Sequence, residues 1–206
     1  MDSTIINDPF VFVAEDIITP EKCSEIIDRF EKDKKHQRQG VTAGGIQIEV
    51  KNSIDLMPDN NPEDWKDVED LFHEKISLML DLYINHLSNA GVYSSFVNDS
   101  LIYLHPPNLE KMMDTGYQIQ RTRPGKGYTW HHDAAPHRIL TFILYLNTVD
   151  EGWTQFYTGD QVSPNTGRGV IFPATWTYYH QGYPPLQTKY IMLSLIHISE
   201  PTRLWT

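Results

Sequence analysis

The chain has 206 residues, 27 of them acidic and 17 basic, for a formal net charge of −10 at pH 7. That length suits one domain with a sizeable core, and that charge argues against broad binding to a nucleic-acid backbone. A single cysteine, Cys23, excludes an internal disulfide and fits a reducing compartment.

The first predicted element is a short strand over Pro9–Val13. Thr19-Pro20 then opens a helix, with threonine as N-cap and proline at the first helical position. Ile26, Ile27 and Phe30 recur at helical spacing to about Lys34, and Cys23 shares their face as buried filler. The basic run from Lys32 to Arg38 falls at the end of this helix, where cations suit the dipole, and reads as a solvated terminus. Gly40 to Gly45 is a flexible link, and Gln47 to Asp55 alternates as a strand. Asn61-Pro62-Glu63-Asp64 starts a second helix with acids at its positive end. Trp65, Val68, Leu71, Phe72, Ile76, Met79, Leu82, Tyr83 and Leu87 carry its apolar stripe to Asn89. His73 and His86 lie on or beside that stripe and read as structural.

From Gly116 onward the signals are strand-like. Tyr117–Arg121, Ile139–Leu146, Thr154–Tyr157, Gly169–Phe172 and Thr175–His180 are separated by Gly, Pro, Asn and Asp turns. Many short strands after N-terminal helices predict an α+β fold, a jelly roll buttressed by helices on one face. The N-terminus shows no basic and apolar leader, and no stretch approaches a membrane span, so the cytoplasm is the expected location.

The densest chemistry lies in Tyr128-Thr-Trp-His131-His132-Asp133 and, much later, His180-Gln-Gly182-Tyr-Pro-Pro185 and Lys189. Two imidazoles and a carboxylate in the order His-x-Asp…His are the three ligands with which non-haem Fe(II) oxygenases hold iron on one face. His131 and Asp133 are two apart, so on a strand both leave the same face and His132 is the spacer. His180 follows the aromatic, β-prone run Thr175–Tyr179, which predicts a second strand that brings the third ligand alongside. Arg121, Arg123 and Arg138 are expected to line the approach. The plainer reading makes the histidines surface-strand residues and Asp133 the start of a turn.

From about Tyr117 to Met192 the chain resembles the 2-oxoglutarate and Fe(II)-dependent oxygenases, in particular their prolyl 4-hydroxylase-like branch. The resemblance rests on Gln118-Ile-Gln120, Pro124-Gly-Lys-Gly127-Tyr128, His131-x-Asp133, Arg138-Ile-Leu-Thr141, Tyr145-Leu-Asn147, Gly152-Trp-Thr154-Gln-Phe156, Pro164-x-x-Gly167, Phe172-Pro-Ala174, His180-x-Gly182 and Lys189-Tyr190. Upstream, Lys51-x-Ser53-x-Asp55 resembles a block found before the long helix of such enzymes. The resemblance implies a double-stranded β-helix with His131, Asp133 and His180 as catalytic iron ligands. It implies Lys189 as the cation for the distal carboxylate of 2-oxoglutarate, Thr154 as a hydroxyl that helps bind it, and ascorbate as an additional cofactor.

The activity so implied is a dioxygenase that hydroxylates a small-molecule or peptide substrate, with peptidyl proline the family's own target, and releases succinate and carbon dioxide. O2 is the other substrate, and neither nucleic acid nor membrane is an expected partner. Two departures stand out: Thr122 replaces a tyrosine often found nine residues before the first ligand, and Glu151 replaces the first glycine of a pair. The alternatives are a non-catalytic binding module of the same fold and a cupin-type dioxygenase acting without 2-oxoglutarate, though no His-x-His lies near the site. Substrate choice is expected in the loops His105–Thr115 and Ala134–His137.

Leu193 to Arg203 resembles one reading frame of a transposon-end adapter used to prepare sequencing libraries. The expected organisation is therefore a single domain over 1–192, with helical support to about 115 and a jelly-roll core from 116, followed by a non-native tail over 193–206. The plainer reading takes Leu193–Ile198 as a genuine apolar strand.

Overall fold

The computed structural model describes residues 2–90 and 112–198. Its frame is two antiparallel sheets packed face to face, with two helices against the outside of the larger one. The larger sheet runs, from edge to edge, β1 (Phe12–Ala14), β9 (Gly169–Pro173), β6 (Arg138–Tyr145), β11 (Lys189–Ile198), β4 (Met112–Thr122), β3 (Ile54–Leu56) and β2 (Arg38–Gln39). The smaller sheet is β5 (Tyr128–His131), β10 (His180–Gly182), β7 (Thr154–Phe156) and β8 (Gln161–Val162). From β4 to β11 the consecutive strands pass back and forth between the two layers, with only β7 and β8 in succession in the same one, which is the double-stranded β-helix.

The strand β6 shows why the sequence folds this way. Its run Arg138–Tyr145 has no polar face because both of its faces are covered. Phe142 and Leu144 pack into the cluster that includes Phe30, Trp65 and Phe72 of the helices. Ile143 and Tyr145, one step along, pack into the cluster between the sheets with Phe156, Val162, Val170 and Phe172. Two-residue alternation thus divides one apolar string between two cores. Each large side chain buried there contributes about 1.5–3 kcal/mol relative to exposure.

The helices begin and end close to the predicted positions. Helix α1 spans Pro20–Lys32, and Thr19 caps it by accepting from the Lys22 amide at 3.3 Å. Cys23, Ile26 and Phe30 are fully buried, and Arg29 crosses to Asp67 on the second helix at 2.9 Å. Helix α2 spans Pro62–Asn89 and buries Trp65, Val68, Phe72, Ile76, Met79, Tyr83 and Leu87. Leu82, expected on that stripe, faces outward at 36 % exposure, while Leu80 takes the inner position. His86 bonds the Pro9 carbonyl at 2.9 Å and packs on Phe12, and His73 lies 3.3 Å from the Tyr117 hydroxyl. Among the described residues no helix is long and apolar enough to cross a membrane.

Three segments depart from expectation. The strand predicted over Gln47–Asp55 shrinks to Ile54–Leu56, because Val50 and Lys51 both donate to the Gln47 carbonyl at 2.9 Å and close a turn. The run Thr175–Tyr179 is also a turn: Tyr178 donates to the Thr175 carbonyl at 3.0 Å, the hydroxyls of Thr175 and Thr177 pair at 2.7 Å, and β10 begins only at His180. Local hydroxyl bonding here outweighs β-propensity. Gly40–Gly45 closes on itself through paired bonds between Thr42 and Gly45. Apart from these three, residues 193–198 of the expected tail pair as the second half of β11 between β4 and β6.

Candidate metal centre and adjoining cavity

His131 ends β5 and His180 begins β10, and the antiparallel register sets the two directly opposite one another. Asp133 lies past the end of β5, in the loop that leads to β6, so the same-strand argument for its orientation does not hold. Its side chain is turned inward instead by β6, where the Thr141 hydroxyl donates to Oδ2 at 2.7 Å and the Arg138 guanidinium donates to its main-chain carbonyl at 3.3 Å. His132 is exposed.

Three ligand atoms converge. His131 Nε2 is 3.8 Å from Asp133 Oδ1, His180 Nε2 is 3.7 Å from Oδ2, and all three residues offer atoms within 4.8 Å of one another. The tautomers follow from the other ring nitrogens. His131 Nδ1 meets the Thr129 carbonyl at 2.7 Å and His180 Nδ1 meets that of Tyr178 at 2.9 Å. A carbonyl can only accept, so each Nδ1 carries the proton and each Nε2 presents a lone pair toward Asp133. Burial, with the neighbouring His180 second, pushes the His131 imidazole down to about 4, so it is neutral at pH 7. Two imidazoles with anchored outer nitrogens and a carboxylate suit a first-row divalent cation.

The cluster opens onto a cavity between the sheets whose far side is built by the larger sheet. Gln120 and Thr122 of β4, Ile143 of β6, and Lys189, Ile191 and Leu193 of β11 line it, each set two residues apart, together with Thr154 of β7. Lys189 stands across from Thr122 in the β11–β4 register and is 5 % exposed. Its ammonium donates to the Gly152 carbonyl, and burial pushes it down to about 8. A buried ammonium has three donors, and the Gly152 carbonyl takes one, which leaves capacity for an anion in the cavity. Thr154 Oγ1 shares a 2.6 Å hydrogen bond with the Tyr145 hydroxyl, which burial pushes up to about 12 and so keeps protonated.

All five residues singled out from the sequence therefore border one cavity. The motif blocks contain Tyr128 and Thr141 without giving either a role: the Tyr128 ring stacks on His131 with centroids 3.5 Å apart, and Thr141 holds Asp133. Two-residue alternation from Lys189 along β11 would have found Ile191 and Leu193. No such rule finds Thr141. Arg121 faces away from the cavity and pairs with Glu31 of α1 at 2.7 Å. Behind Tyr128, the block Lys51-x-Ser53-x-Asp55 closes on itself: Lys51 Nζ and Ser53 Oγ both reach Asp55 at 2.7 Å, with Lys51 5.7 Å from the Tyr128 ring centroid. Of the two loops expected to govern substrate choice, residues 105–111 lie outside the described residues.

Residues 117–197 match the 2OG-Fe(II) oxygenase superfamily. Among solved structures, the chain is similar to a viral collagen prolyl hydroxylase from Paramecium Bursaria Chlorella virus-1 in its 2OG complex, with 18 % identity over 93 % of this chain and 97 % of that one and a TM-score of 0.61. A prolyl hydroxylase from Trichoplax adhaerens, in complex with a peptide fragment of the hypoxia inducible factor oxygen degradation domain, gives 13 % identity, coverage of 93 % and 85 %, and a TM-score of 0.67. A prolyl-4-hydroxylase from Pseudomonas putida gives 12 % identity, coverage of 91 % and 92 %, and a TM-score of 0.62. These likenesses establish a shared fold. No curated protein matches the chain.

Proposed function

We propose that this chain, whose residues 117–197 match the 2OG-Fe(II) oxygenase superfamily, is a hydroxylase whose iron is held by His131, Asp133 and His180 and whose target is a peptidyl proline. The observation that carries the reading is the convergence of two Nε2 lone pairs and one carboxylate at the mouth of a cavity that ends on a buried ammonium. When bound, Fe(II) and 2-oxoglutarate supply the oxidising chemistry, with succinate and carbon dioxide as the spent cosubstrate.

The chain's own residues have separable tasks in this reading. The Thr129 and Tyr178 carbonyls hold the imidazole protons on Nδ1, so both Nε2 atoms face Asp133 as ligands. Lys189 receives the distal carboxylate of 2-oxoglutarate, whose charge replaces the hydration the ammonium lost on burial. Thr154, already bonded to Tyr145, offers its remaining hydroxyl capacity to the same carboxylate. Ile143, Ile191 and Leu193 exclude water from the space between. A buried cation facing the donor set favours a dicarboxylate cosubstrate over a cupin-type reaction that needs none.

Proline as the target is supported by the names of the three structural neighbours, all prolyl hydroxylases. Ascorbate as an additional cofactor and a cytoplasmic setting belong to the same proposal. The test is succinate formation from 2-oxoglutarate by anaerobically purified, Fe(II)-loaded protein exposed to air, with His180→Ala as control. Turnover absent from the variant and increased by proline peptides is the expected result. Iron binding without any succinate would overturn the enzymatic reading.

A further inference from the structure

The two imidazoles and the carboxylate of the metal cluster are oriented by different kinds of partner. His131 and His180 each donate to a main-chain carbonyl, which no side-chain substitution removes. Asp133 stands outside any strand, and the one side-chain hydrogen bond given to its carboxylate among the described residues comes from Thr141, at 2.7 Å to Oδ2. Thr141 is fully buried, on the same face of β6 as Ile143 and Tyr145, and is held on both sides by pairing with Phe172 of β9 and Leu195 of β11. A hydroxyl placed there has no access to solvent, and its acceptor lies in a loop eight residues earlier. Valine would fill the same space in an apolar strand whose other residues at 139–146 include only one further hydroxyl, that of Tyr145.

We propose that Thr141 is a positioning residue for the cation: resting on the assignment of Asp133 as a ligand, it fixes the carboxylate rotamer and engages Oδ2, leaving Oδ1 as the unshared oxygen. Held in this way, Asp133 would present a single oxygen beside the two Nε2 atoms, so the protein would supply three ligand atoms and leave the rest of the ion's surroundings free for cosubstrate and O2. Hydrogen bonds that orient ligating groups alter metal affinity by about 10–100-fold.

The experiment is Mn(II) binding to the metal-free protein, read as loss of the free-ion EPR signal, for the parent, Thr141→Val and Thr141→Ser. Melting of each metal-free protein is measured in parallel. The expected result is a Kd raised by about 10–100-fold in Thr141→Val, close to the parent in Thr141→Ser, with metal-free melting of Thr141→Val at or above the parent value. Equal Mn(II) affinity in Thr141→Val, or a Thr141→Ser as weak as Thr141→Val, would overturn the proposal while leaving the ligand assignment intact. A parent that binds no Mn(II) would instead overturn the ligand assignment, and this inference with it. Should Thr141→Val not fold, the Thr141→Ser comparison still decides: a serine with the hydroxyl but a weakened Kd contradicts the role.

Discussion

Lys189 reaches the Gly152 carbonyl from a position almost closed to water, and that one acceptor is the only hydrogen-bond partner given to its ammonium among the described residues. Burial lowers its pKa from 10.5 to about 8. Since the native state binds this proton less tightly than the unfolded one, the charge opposes folding by roughly 3 kcal/mol below pH 8. The penalty fades as pH rises from about 8 to 10.5, so native stability gains with pH across that window. Lys189→Met is therefore expected to melt higher than the parent at pH 7, with the difference shrinking above pH 8. It should also lose 2-oxoglutarate binding. Calorimetric scans from pH 6 to 10, with and without 2-oxoglutarate, check both halves.

The metal ligands give a second expectation. His131→Ala, Asp133→Ala and His180→Ala should each abolish stoichiometric Fe(II) binding and the thermal stabilisation that a bound ion confers by mass action. Without metal, Asp133→Ala should cost about 1–3 kcal/mol, because it leaves the buried Thr141 hydroxyl without its acceptor. Metal stoichiometry that falls little in Asp133→Ala would count against its role.

A third concerns the charges behind Tyr128. Lys51 and Asp55 form a 2.7 Å pair whose side chains are 6 % and 11 % exposed. Removing one partner of a buried pair strands the other charge, so Asp55→Ala should cost about 3–5 kcal/mol in urea unfolding. Lys51→Met combined with Asp55→Leu should cost clearly less than either change alone. Strict additivity would show that the pair does not act as a unit.

The last concerns Glu151, which stands where a glycine was expected and has φ of 57°, followed by Gly152 at 67°. A side chain in this left-handed region strains the backbone by about 1–2 kcal/mol, which the greater unfolded-state freedom of glycine partly offsets. Glu151→Gly should stabilise the protein by up to about 1 kcal/mol. The converse change at Gly152 should fail, because an added Cβ would lie 2.8 Å from Pro185. Denaturation midpoints of both variants test the contrast.

Much of this was readable in the chain because the governing interactions are local or periodic. Thr19-Pro20 and Asn61-Pro62 mark helix starts through the chemistry of neighbouring residues, and the three-to-four spacing from Trp65 to Leu87 follows from helix geometry. His131 faces inward as the last residue of β5, while His132, exposed, lies like Asp133 beyond the strand. Order and spacing were enough to pick out Asp133, but the reason offered for its orientation failed, since it lies beyond the strand and β6 turns it inward. The aromatic run Thr175–Tyr179 looked like a strand because propensity cannot weigh a hydroxyl pair that closes a turn. Thr141 looked like one more member of an apolar string. Its partner is chosen by which strand closes over which loop, and that depends on how two sheets stack. Sequence alone determined the helices, the inner faces of the strands and the identity of the chemistry-bearing residues, because each depends on the nearest few positions. Only the tertiary structure decided the pairing of His131 with His180 across two strands, the burial that depresses Lys189 and the hold of Thr141 on Asp133, because each is a contact between segments brought together by packing.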